Sequence, residues 1–129
     1  MTNKPLTYPI YHLENSDIHN EKIIQHKFLY NKHNIVYLQA NFCGYCQAAK
    51  KQFQDFSNLN ENNFNLLTIV CDSEKPNESD VGNITKHIKN FKGFPHYCVF
   101  GRNGEHLIEF GQPEGRDIES LEAWVNNLK

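Results

Sequence analysis

The sequence predicts a single α/β domain with elements in the order β-α-β-α-β-α-β-β-α: a central mixed sheet flanked by helices. Three observations carry that expectation. Short apolar runs with β-branched residues alternate with stretches of helical spacing. The strongest of these runs, Ile35-Val36-Tyr37-Leu38, feeds a helical segment. The 129 residues are enough for one core, since a chain of this size buries roughly 65–70% of its unfolded surface.

Leu6 to Leu13 reads as the first strand, preceded by a loose segment over 1–7, and Ser16 or Asp17 is placed to cap a helix reaching about Asn31. The Ile35–Leu38 strand follows. After it, Ala48, Ala49, Phe53 and Phe56 recur at helical spacing. Phe64 to Cys71 is a further buried strand. Asp72 to Asp80 then reads as a solvated acidic loop, and Ser79 is placed to cap a short helix carrying Val81, Ile84 and Ile88. Lys92-Gly93-Phe94-Pro95 interrupts the chain before the strand His96–Phe100. Gly101-Arg102-Asn103-Gly104 is a hairpin signal, with Glu105–Phe110 as the returning strand. Asp117 caps a last helix whose apolar face is Ile118, Leu121, Trp124, Val125 and Leu128.

Composition narrows the function. A net charge of −2 from 13 basic and 15 acidic residues leaves no basic stripe for nucleic acid and no polybasic membrane signal. No window reaches the 18 apolar residues of a membrane span, and Met1–Thr7 has no apolar signal core, so a cytoplasmic location is expected. Seventeen Asn suggest an AT-rich genome, that of an intracellular microbe or a large DNA virus, and a viral source would put the protein in host cytoplasm or a virion. Four cysteines are too few for a disulfide-stapled fold, and in a reducing compartment a cysteine pair points to catalysis or metal binding.

Asn41-Phe42-Cys43-Gly44-Tyr45-Cys46 lies where the strand meets the helix. Cys43 at a helix N-terminus faces unpaired N–H groups and the positive end of the macrodipole, which favour thiolate and lower its pKa from about 8.5 to roughly 3.5–7.5. Cys46 is one helical turn on, within disulfide reach. Zinc is the rival reading, with Cys71, His96 and Cys98 as the remaining candidates, but these come singly from separate strands. Cys71 and Cys98 read more simply as small apolar core residues. His12, His19, His26 and His33 recur every seven residues, too far apart on a helix to share a metal, and read as wet histidines on one face of the first helix.

The order of elements, the Phe42–Cys46 junction and the Lys92–Pro95 segment resemble thioredoxin and the catalytic domains of protein disulfide isomerases, over about Tyr8 to Leu128. The resemblance implies a thioredoxin fold and a thiol–disulfide oxidoreductase, reductase or isomerase, acting on disulfide-containing or dithiol proteins. Cys43 is then the nucleophile and Cys46 the resolving thiol, with no cofactor beyond their disulfide. It also implies a cis Pro95 facing the cysteines and a substrate groove of Phe42, Gly44, Tyr45, Phe94, Pro95, His96 and Gly111, with Gly104 as the hairpin glycine. A reductase as electron donor and a monomeric state are further expectations.

The chain departs from the family at informative places. Phe42 stands where Trp is usual, Tyr37 where a buried acid takes the second thiol's proton, Gln47 for a basic residue and Lys51 for a kinking proline. Gly44-Tyr45 resembles the dipeptide of the bacterial periplasmic disulfide isomerase. A tyrosine with pKa near 10 is a poor base at neutral pH. These departures keep an alternative open, a thioredoxin-like binding module with weak redox turnover.

Overall fold

A computed structural model describes residues 5–20, 22–24, 31–89, 91–107 and 110–128. Its centre is a four-stranded mixed sheet of β1 (Ile10–His12), β4 (Asn34–Gln39), β5 (Asn65–Val70) and β6 (His96–Phe100), in the order β1-β5-β4-β6. β1 and β4 run parallel to β5, and β6 runs antiparallel to β4. The two principal helices are α1 (Gly44–Asn60) and α2 (Ile118–Val125).

β4 shows why an unbroken apolar run becomes a central strand. All six of its residues are buried. Ile35 and Tyr37 join one core with Phe53, Phe56, Leu121 and Trp124, while Val36 and Leu38 join the opposite core with Leu67, Ile69, Val81 and Phe100. The polar strand ends are satisfied: Asn34 donates to the Gly101 carbonyl at 3.1 Å, and Gln39 donates to Thr68 Oγ1 at 2.9 Å. α1 is amphipathic, burying Cys46, Ala49, Phe53, Phe56, Ser57 and Asn60 at three- and four-residue spacing. α2 is capped by Asp117, as expected, and the Gln52 side chain of α1 accepts from the Ile118 N–H at 3.0 Å, tying its start to α1. Its regular part ends at Val125, and a 3-10 turn carries Asn126–Leu128.

Several expectations need correction. The helix expected from Ser16 or Asp17 does not begin there. Asn15–Asp17 is a 3-10 turn followed by a small hairpin of β2 (Ile18–His19) and β3 (Lys22–Ile23), in which Ile18 pairs with Ile23; residues 25–30 lie outside the described residues. Asn20 makes the hairpin possible by taking a left-handed φ of 50°, which asparagine tolerates. The four histidines therefore do not share a helix: His12 is in β1, His19 in β2, and His26 is among the undescribed residues. The segment expected to be loose is anchored from Leu6, which is buried, and from Thr7, whose N–H donates to Gln54.

The short helix after the acidic loop is instead a 3-10 helix, Val81–His87. Its N-cap is Asp80, because the Ser79 hydroxyl turns back to the Pro76 carbonyl. The acidic loop is also less solvated than expected, since Glu78 is buried and accepts from Ser73 Oγ. Finally, the returning strand expected over Glu105–Phe110 contributes, among the described residues, a single antiparallel bridge from His106 to Phe100. The hairpin itself closes as expected. Gly104 holds a φ of 88° and lies so close to the Ile23 carbonyl that a Cβ has no room.

Candidate active site

Cys43 is the N-cap of α1, with extended backbone, and its Sγ accepts the Cys46 N–H at 3.0 Å. The two sulfurs form a disulfide, with Cα atoms 5.2 Å apart. On reduction the same N–H and the helix start face the Cys43 sulfur, the arrangement that favours thiolate. Cys43 retains a little exposure and Cys46 has none, so of the two cysteines only the first reaches the surface. The Asp72 carboxylate braces the preceding turn by accepting the Asn41 N–H at 2.8 Å.

Phe94 packs against Ala40, Cys43 and Cys46, which brings the 94–95 segment to the disulfide, and the Phe94–Pro95 peptide bond is cis. β6 is an edge strand whose outward side is partly occupied by the chain itself. The Leu107 N–H donates to the Val99 carbonyl. Gln112 both accepts from the Tyr97 N–H and donates to the Tyr97 carbonyl. Stepping back by two along that edge leads to Pro95.

Of the groove residues expected from sequence, Phe42 and Tyr45 are exposed, at 77% and 69%, Phe94 and Pro95 are half-buried, and Gly44 and Gly111 have open space where a Cβ would sit. His96 is different. It is buried, with its ring 5.2 Å from that of Phe91 and its Nε2 3.3 Å from Gln112. Burial first, and then the His106 charge, lower its pKa, so it is a neutral support for the aromatic wall and not a charged groove side chain.

Tyr37 is fully buried beneath the pair and donates its hydroxyl to the Cys46 carbonyl at 2.7 Å. Desolvation raises its pKa further, so it takes no proton from Cys46 at neutral pH. Cys71 is pushed up to about 12 by burial and by the Asp72 charge, and burial pushes Cys98 up as well; both are resting thiols. The zinc set of these two with His96 is not assembled: among the described residues no three His, Cys, Asp or Glu side chains are grouped to hold a metal.

One residue absent from the sequence reading belongs here. Arg116, in the loop before α2, lies over the Tyr45 ring at 5.0 Å from its centroid. It lines a cavity of about 420 Å³ with Pro95, Tyr97, Gln112 and Glu114. Sequence carries only a weak signal for it, a lone basic residue between glycine and a helix cap.

The chain superposes on the J-Trx1 fragment of ERdj5 with a TM-score of 0.63, 14% identity and 92% of this chain covered. It has a thioredoxin fold. It spans 51% of that fragment's length. The germline-specific thioredoxin Deadhead of Drosophila melanogaster gives a TM-score of 0.59 at 16% identity, covering 80% of this chain and 87% of that one. In sequence, the chain is 28% identical over 129 residues to thioredoxin-like protein 453L of Invertebrate iridescent virus 6, covering 91% of this chain and 92% of the relative. No family model matches.

Proposed function

We propose that the protein is a thiol–disulfide oxidoreductase in which Cys43 is the nucleophile and Cys46 the resolving thiol. The Cys43–Cys46 disulfide across the first turn of α1, with the Cys46 N–H on the Cys43 sulfur, carries the reading. In the reducing direction, Cys43 thiolate attacks one sulfur of a substrate disulfide and expels the other as thiolate. Cys46, its proton passed to water, then attacks the Cys43 sulfur of the mixed disulfide and releases the second substrate thiolate. The substrate gains two electrons and two protons, and the protein keeps the disulfide. Oxidation runs the steps in reverse. The redox couple needs no added cofactor. The partners are proteins carrying disulfides or dithiols, with a reductase as electron donor, and the protein works as a monomer in the cytoplasm.

Cys46→Ser is expected to accumulate mixed disulfides with protein substrates, visible on non-reducing gels, while Cys43→Ser accumulates none. If neither traps a partner and neither change lowers insulin reduction, the reading fails.

A second reading, a protein-binding module with weak turnover, draws support from Tyr37, which holds the acid's position but accepts no proton. The reduction potential separates the two. A pair that equilibrates with glutathione buffers between about −120 and −300 mV is a working couple, and its place on that scale distinguishes reductase from isomerase.

A further inference from the structure

The two flanks of the disulfide differ in chemistry. Beside Cys43, the exposed Phe42 ring meets Phe94 edge-on at 6.1 Å, and Phe94 meets Phe91 at 5.2 Å, an apolar ridge. Beyond Gly44, the exposed Tyr45 carries the Arg116 guanidinium. Among the described residues no carboxylate pairs with Arg116. The Tyr97 hydroxyl, in a residue only 3% exposed, is buried without a hydrogen-bond partner, and Tyr97 helps line the same cavity. A permanent cation thus borders the cavity that Pro95 also lines. Its complement is an anionic acceptor, and a carboxylate matches the guanidinium fork.

We propose that the cavity beside Pro95 is a carboxylate subsite, in which Arg116 selects extended polypeptide substrates bearing Asp or Glu next to the reacting cysteine. The Phe42–Phe94–Phe91 ridge receives an apolar residue on the cysteine's other side. A carboxylate in the cavity is held by Arg116. Glu114, exposed on the same wall, opposes this preference, so the balance between the two charges is what an experiment reads. The proposal rests on the oxidoreductase reading only for the cysteine at the centre of the substrate.

Binding is measured with short peptides in which Ser replaces the central cysteine, with Phe on one side and Glu, Gln or Lys on the other, in both orders. The Glu peptide is expected to bind at least tenfold more tightly than the Lys peptide, with the difference shrinking as salt rises. Arg116→Gln erases that difference and Arg116→Glu reverses it. Equal affinities, a preference for Lys, or an order unchanged by Arg116→Gln overturns the subsite. Counterparts of these peptides that keep the central cysteine, joined in disulfides, keep the two readings apart: an affinity order that holds while no peptide is reduced supports the subsite and rejects the oxidoreductase.

Discussion

At the scale of single residues, Tyr37 stands where the thioredoxin resemblance leads one to expect a buried acid. A carboxylate at that place would exchange a proton with Cys46, whereas the phenol gives a hydrogen bond to the Cys46 carbonyl and, buried against Phe53 and Tyr97, keeps its own proton. Tyr37→Phe is expected to lower stability by about 0.5–1.5 kcal/mol, the net value of one hydrogen bond, and to leave the shape of the pH–rate profile for insulin reduction unchanged. Urea denaturation and that profile check the two halves. His96 yields a pH prediction. Its folded pKa lies below the unfolded value, so the unfolded chain binds its proton first as pH falls, and stability declines on acidification below about 6.5. His96→Gln is expected to flatten that decline between pH 7 and 5 in thermal melts, by at most about 1.4 kcal/mol per pH unit.

At the scale of elements, the start of α1 joins structure to chemistry, because Cys43 is both its N-cap and its proposed nucleophile. Serine is a good cap and a poor thiolate substitute. Cys43→Ser is therefore expected to match the stability of the reduced protein while losing insulin reduction, and Cys43→Ala to lose both the activity and about 1 kcal/mol of stability. The central strands were legible at this scale. His96–Phe100 was read with its observed ends, and Ile35–Leu38 lies inside Asn34–Gln39. Each is a short buried run whose apolar content is set locally. The β2–β3 hairpin was missed because its pairing is only two residues long and Asp17 imitates a helix cap. The turn residue Asn20 between Ile18 and Ile23 was the available signal.

At the scale of the molecule, the sheet divides two cores, and the one under α1 and α2 centres on Phe53, which touches Tyr37, Phe56 and Tyr97. Phe53→Ala is expected to cost about 3–5 kcal/mol out of a total stability of about 5–15, lowering the melting temperature and the urea midpoint. The single tryptophan, Trp124, is buried between Tyr97 and Phe110 in that core, and its fluorescence follows the transition.

The sequence by itself determined the α/β class, the central strand and the placing of Cys43 and Cys46 at a helix start, because each depends on residues within a few positions of one another. Tertiary structure alone decided that Phe94 lies on the disulfide, that His96 is buried, that Gln112 occupies the edge of β6 and that Arg116 covers Tyr45. Those contacts join side chains from distant segments, and their meeting depends on sheet register and loop path, which local residue patterns do not encode.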